Sequence, residues 1–354
     1  MNQTELTESA IALLKELISI ESFSNEEDKT ADAIQAWLGK YNIPTERDLN
    51  NIIAKNKYWD ESKPTLLLNS HHDTVKPNTA YTKDPFLPHI EDGKLFGLGS
   101  NDAGGPLVSL LATFVNYYHD ENLSHNILMV ASAEEENAGE NSLRGLLPKL
   151  PHIDVAIVGE PTLMQLAIAE KGLVVFDAVV KGTPSHAAHP NEDNSIYNSI
   201  KVLEWFKNYT FEKSSEALGD VKMTVTQISA GSQHNVVPAQ VDMVVDVRVN
   251  DAYSNKEIAD LLKKDAPCEL KERSLRLNSS KIEKDHPLVK SGIALGRTTY
   301  GSPTLSDQAA LSCQSLKLGP GDSTRSHSAN EFIYVHEIEE GIDLYIKILK
   351  GFLH

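Results

Sequence analysis

Apolar residues recur along this chain in two periods, and the change of period divides it. Near the start, Ile11, Leu14, Leu17 and Ile18 fall at helical spacing and mark one face of a first helix. Ser24-Asn25-Glu26-Glu27 has the form of a capping box and predicts a second helix, with Ile34, Trp37, Leu38 and Tyr41 on its buried face. Continuous apolar runs follow. Residues 65–69 read as a buried strand leading into His71-His72-Asp73, and 107–118 as a helix. Residues 126–131 read as a second buried strand, and 155–158 as a third that ends at Gly159-Glu160-Pro161. Buried strands separated by helices predict an α/β domain with a mostly parallel central sheet, where polar sites gather beyond the carboxyl ends of the strands. Each of these three strands ends in His, Asp or Glu.

After Gly172 the texture changes. Residues 173–180 predict a strand and 195–209 a helix with Ile196, Ile200, Leu203 and Phe206 on one side. Residues 221–228 and 240–249 alternate with period two, Ile258, Leu261 and Leu262 suggest another helix, and 269–277 alternates again. The order is βαββαβ, a ferredoxin-like α+β module. It occupies 172–283 and reads as an insertion, because the α/β pattern resumes near His286 and joins 284–354 to 1–171. The length of 354 residues fits this division, being more than one compact core usually supports.

Composition narrows the function classes. The formal charge is −17, from 33 basic and 50 acidic residues, and the basic ones are scattered. Such a surface repels phosphate, so nucleic acids and anionic membranes are not expected partners. Cys268 and Cys313 form no CxxC or zinc-finger spacing, which excludes a disulfide framework. The N-terminus lacks the basic start and continuous apolar run of a signal peptide. Nothing approaches the ~20 apolar residues of a membrane span. A soluble, cytoplasmic protein is expected.

The candidate chemistry lies at the strand ends. His71-x-Asp73 pairs an imidazole with a carboxylate that can fix its tautomer, as metal sites require, although a solvated strand end would look the same. Gly97-Leu98-Gly99-Ser100-Asn101-Asp102-Ala103-Gly104-Gly105 departs from GxGxxG, because aspartate stands where the third glycine belongs; this opposes a nicotinamide-binding reading. An acid among glycines suits a carboxylate brought close to a cation. Glu134-Glu135-Glu136 places three mutually repelling acids after an apolar strand, where a multivalent cation would relieve them. Gly319-Pro320-Gly321-Asp322 leads to His327 and Glu331. Nearby, Gly321-Asp322-Ser323-Thr324-Arg325 lacks the second glycine of GxSxG, which disfavours a serine hydrolase. Each segment alone fits a bland turn or loop. Together they put two histidines and several acids at strand ends that one sheet would gather, and imidazole plus carboxylate without cysteine matches a pair of divalent ions.

The ordered series SHHDTV, GLGSNDAGG, SAEEENAG, VGEPT, GTPSHAAHP, NVVPAQVDMVVDVR and GPGDSTRSHSANE resembles the di-zinc aminoacylase and peptidase family of acetylornithine deacetylase and succinyl-diaminopimelate desuccinylase, over essentially the whole chain. The resemblance implies two divalent ions, Zn²⁺ with Co²⁺ as a substitute. Asp102 would bridge them, His71 and Glu160 would complete one site, and Glu136 and His327 the other. It makes Glu135 the general acid/base, with Asp73 behind His71. It also implies a homodimer through the inserted lid module, with His186 reaching the partner's site and Arg248 and Asn235 binding substrate. The loop 301–307 resembles the acetylornithine deacetylase branch. The implied activity is hydrolysis of an N-acyl amino acid, first N2-acetylornithine to ornithine and acetate, a reaction of arginine biosynthesis. The alternatives are a succinyl-amino-acid desuccinylase, an acetylcitrulline or acetyllysine deacetylase, and a dipeptidase. A non-catalytic metal-binding module is the rival from another class, and Glu135 opposes it, since a structural site needs no base. Leu98, Ala103-Gly104, Glu134 and His72 depart from the family's commonest residues around the ligands.

Overall fold

The computed structural model describes residues 2–354, which form two compact units. The first contains the chain up to Ile168 with Lys281–Tyr300 and Ser306–His354; the second is Ala169–Ser280 with Gly301–Leu305.

Four parallel strands form the centre of the first unit's sheet, in the spatial order Asn126–Ser132, Thr65–His71, Val155–Gly159 and Gln314–Leu318. Antiparallel strands flank them: Asn51–Lys55 beside Asn126–Ser132, and Leu166–Glu170 beside Gln314–Leu318. Every residue of Thr65–His71 and of Asn126–Ser132 is buried, which is why these segments read as unbroken apolar runs. Successive side chains go to opposite faces. Leu66, Leu68, Ile127, Met129 and Ile157 join the core formed with the helices Gln3–Ile18, Asp28–Gly39, Gly105–Tyr117 and Val335–Leu353. Leu67, Leu128, Val130 and Ala156 join a smaller cluster with Leu143 and Leu146. The carboxyl ends of all four parallel strands lie on the same edge and run into His71, Glu134-Glu135-Glu136, Glu160 and Gly319-Pro320-Gly321.

The expected capping box is absent. The second helix starts at Asp28 and its N-cap, Glu27, makes no side-chain cap bond. Ser24 Oγ donates instead to Asp73 Oδ2 at 2.7 Å. Glu27 accepts from Asn25 N at 2.6 Å, Asn50 Nδ2 at 2.9 Å and Glu134 N at 3.2 Å. Buried carboxylates need several donors each, and two of them consumed the groups that would have capped the helix.

In the second unit the strands Gly172–Lys181, Lys222–Ala230, Gln240–Val249 and Glu269–Glu272 alternate with the helices Ser195–Asn208 and Asn255–Asp265 in the order βαββαβ. All ladders are antiparallel, with the spatial order Lys222–Ala230, Gln240–Val249, Gly172–Lys181, Glu269–Glu272. Alternate residues of Gly172–Lys181 are buried, as its period of two predicts for a sheet covered on one face. Two expectations need correcting. The helix Ser195–Asn208 packs Ser199, Val202 and Phe206 inward, while Ile196 and Ile200 remain 42% and 54% exposed. The last strand stops at Glu272, well short of 277; Leu277 rejoins only by its carbonyl, which accepts from Leu173 N at 2.9 Å.

Candidate metal centre

The strand Thr65–His71 delivers the His71 ring to the carboxyl edge of the sheet, almost wholly buried. Its Nδ1 lies 3.0 Å from the Asp73 carbonyl and 3.3 Å from Asp73 Oδ1, so Nδ1 carries the proton and Nε2 is left as a donor atom for a cation. Asp73 also accepts from Ser24 and from the backbone N–H groups of Glu135 and Glu136, both at 3.1 Å. One carboxylate therefore orients the histidine and the acidic turn together. Burial opposes ionisation of Asp73, yet the His71 bond and these donors outweigh it and hold its pKa below the usual range.

Asp102 stands on the loop between Gly97 and Gly105. Gly104 is required there by space: a Cβ would lie 2.4 Å from the Gly99 carbonyl oxygen and 2.5 Å from Leu14 Cδ1. The two Asp102 oxygens face different histidines, with Oδ1 3.4 Å from His71 Nε2 and Oδ2 3.6 Å from His327 Nε2. Behind each histidine lies another acid. Glu160 Oε1 is 3.9 Å from His71 Nε2, and the Glu136 oxygens are 3.2 and 3.0 Å from His327 Nε2. One donor atom each from His71, Asp102 and Glu136 lie within 4.8 Å of one another. The five expected ligands thus converge, with Asp102 between two donor pairs, and a set of two imidazoles and three carboxylates fits two divalent cations.

The electrostatics agree with that fit. Burial first, and the Asp102 charge second, push Glu160 up to about 8. Burial also holds Glu135 well above the usual carboxylate range; Glu160, Asp307 and Glu136 add to it, and His71 opposes it. His327 is raised to about 9, chiefly by its bond to Glu136. Carboxylates crowded in a dry cleft are costly unless cations neutralise them.

The residues that depart from the family pattern have structural work. His72 Nε2 donates to the Asn50 carbonyl at 2.9 Å and Nδ1 lies 2.8 Å from Thr30 Oγ1, tying the strand end to the second helix. Glu134 accepts from Asn141 N at 3.1 Å and Nδ2 at 2.8 Å, closing the turn that carries Glu135 and Glu136. Leu98 is buried.

The remaining candidates belong to the second unit. His186 is exposed and pairs with Val236 across a short ladder, and Ala187 N donates to the Asn235 carbonyl at 2.9 Å, so His186 and Asn235 are neighbours. His186 Nδ1 accepts from Ala188 N at 3.1 Å, which leaves Nε2–H as the ring's donor. The Arg248 guanidinium holds Asp246 through Nε at 2.9 Å and Nη2 at 3.1 Å. Sequence reasoning assigned no role to Glu331 or Asp307. Glu331 accepts the N–H groups of the Asp102 loop. Asp307 accepts from Asn69 Nδ2 at 2.9 Å and Ser132 Oγ at 2.6 Å. Their motifs were visible, but nothing in the spacing says which distant donors they serve.

Residues 67–351 match the model of peptidase family M20/M25/M40. The succinyl-diaminopimelate desuccinylase of Wolbachia pipientis subsp. Culex pipiens is 25% identical, covering 97% of this chain and 93% of its own. The LysW-lysine/LysW-ornithine hydrolase of Sulfurisphaera tokodaii is 27% identical over 96% of this chain and 94% of its own. Among solved structures, the Bacillus subtilis YXEP protein, described as a dinuclear metal-binding peptidase, superposes with a TM-score of 0.75 at 15% identity, covering 99% of this chain and 98% of that one.

Proposed function

Because the chain belongs to peptidase family M20/M25/M40, we propose that it is a two-metal amide hydrolase that removes the acyl group from an N-acyl amino acid. The observation that carries this reading is the Asp102 carboxylate, whose two oxygens each face a different histidine at 3.4 and 3.6 Å. In this reading His71, Asp102 and Glu160 hold one ion, and Asp102, Glu136 and His327 the other. Zinc suits the donor set, with cobalt as a substitute. Such ions, when bound, act as Lewis acids and make water acidic enough to serve as a nucleophile near neutral pH.

The chain supplies the rest. Glu135, anchored through its N–H to Asp73 at 3.1 Å, takes the proton from the attacking water and passes it to the leaving amine. Burial, which raises its pKa above the usual carboxylate range, favours its holding that proton until the amine leaves. His186 offers Nε2–H to the oxyanion, and Arg248 offers its planar fork to the substrate's α-carboxylate, with Asn235 beside His186. We place His186 in the partner's site within a homodimer. Ile196, Tyr197 and Ile200 on one helix and Ile228 on an edge strand, all exposed, support association through the second unit.

For the substrate, the 301–307 loop favours N2-acetylornithine, while the desuccinylase relatives favour an N-succinyl amino acid such as succinyl-diaminopimelate. The test is metal analysis followed by parallel assays of the acetyl and succinyl substrates and a dipeptide. Expected are two ions per chain, chelator-sensitive amide cleavage, and the acetyl substrate turned over best. A metal-loaded protein that cleaves none of them would overturn the reading, and a preference for the succinyl group would replace only its last step.

A further inference from the structure

We infer that Glu331 is a positioning residue that sets the Asp102 carboxylate between the two ions, an inference that rests on the two-metal reading. Asp102 (φ −121°, ψ 98°) and Ala103 (φ −117°, ψ 34°) both leave the helical conformation of the loop, so no regular ladder holds them. The Asp102 loop presents N–H groups that a buried turn must satisfy. Glu331 satisfies three of them while 1% exposed: Oε2 accepts from Gly99 N at 3.0 Å, and Oε1 from Asn101 N at 2.8 Å and Asp102 N at 2.9 Å. A carboxylate accepts on both oxygens at once, which an amide side chain cannot do.

Glu331 is itself held. Its carbonyl accepts from Gly97 N at 3.1 Å, and the strand Phe332–Tyr334 that follows pairs with Lys94–Phe96. A second clamp works beside it. Asn101 Nδ2 donates to the Asp322 carbonyl at 3.0 Å, and Asp322 N donates back to Asn101 Oδ1 at 3.0 Å. His327 lies in the chain between Asp322 and Glu331. The two clamps therefore bracket the segment that carries one ligand and fasten it to the loop that carries the shared one. The 3.6 Å separation of His327 Nε2 from Asp102 Oδ2 follows from that fastening. Because Asp102 faces both donor pairs, an error in its placement is felt at both.

The test is calorimetric titration of metal-stripped protein with Zn²⁺, which reads binding without substrate. Glu331→Gln keeps the size of the side chain and loses one acceptor oxygen. Both binding events should weaken by roughly 10–100-fold, the usual cost of removing a group that orients a ligand. Glu331→Asp, too short to reach all three N–H groups, should fall between wild type and Glu331→Gln, and it carries the comparison if Glu331→Gln does not fold. In an Asp102→Asn background the Gln substitution should add no further loss, because its effect runs through Asp102. Wild-type affinities in Glu331→Gln, or an equal loss with Asp102 already replaced, would overturn the inference while leaving the two-metal reading intact. Wild-type protein that binds no zinc would remove both.

Discussion

Glu135, half-buried, and His72, buried, both lie at the carboxyl edge of one sheet, and burial acts on them in opposite chemical senses. It raises the Glu135 carboxyl and depresses the His72 imidazole to about 4, because in each case the charged form is penalised. For Glu135 the proposed consequence is chemical. Glu135→Gln preserves volume and the backbone bond to Asp73 but cannot carry a proton, so kcat should fall by about 10²–10⁴ with the metal content unchanged. Full turnover in that variant, with zinc retained, would remove Glu135 from the reaction. For His72 the consequence is stability. Its folded pKa lies below the unfolded value of about 6.5, so its contribution is complete above that pH, declines as the pH falls, and is gone below about 4. The span corresponds to ~3 kcal/mol. Urea unfolding of chelator-treated wild type and His72→Gln between pH 7.5 and 4 should show the difference between them shrinking steadily as acid is added. A difference that does not change with pH would mean the buried ring carries no linked proton.

The candidate ligands whose side chains converge were legible at the level of elements because strand termini combine two readable signals, an unbroken apolar run and the polar residues that end it. His71, Glu136 and Glu160 each follow such a run. Asp102 and His327 were legible only as acid or histidine among glycines, in loops whose path no periodicity describes. What spacing does not carry is the identity of distant hydrogen-bond partners. Ser24 looked like a helix cap and serves Asp73; Glu331 followed a histidine motif and serves a loop more than 200 residues earlier. Patterning also misassigned Ile196 and Ile200, since a helix with apolar residues on two sides does not reveal which side the sheet covers. The Asp102 loop then predicts an asymmetry. Asp102→Ala should lower the content of both ions, whereas Glu136→Ala should mainly empty the His327 site, which metal analysis of the purified variants will read. Single-ion losses of equal size in both variants would count against a shared ligand.

Across the whole molecule, the groups proposed for one reaction come from two units that fold around separate cores. The first unit contains the candidate ligands and Glu135, and the second carries His186, Asn235 and Arg248. The second unit also leaves Ile196, Tyr197, Ile200 and Ile228 exposed, more apolar surface than a small α+β layer need show. If that surface joins two copies and His186 serves the neighbouring chain, inactivating substitutions should complement. Homodimers of His186→Ala and of Glu135→Ala should each be nearly inactive. In a mixed dimer, the His186→Ala chain keeps Glu135 and receives an intact His186, so one site is complete, while the other lacks both groups. Co-expression with two tags and isolation of the heterodimer should therefore restore about half the wild-type activity per dimer, since one of two sites is whole. Action of His186 within its own chain gives a different result, because each site of the mixed dimer would then lack one essential group. An inactive heterodimer, with metal bound and association verified by sedimentation, would assign His186 to its own chain or remove it from the reaction.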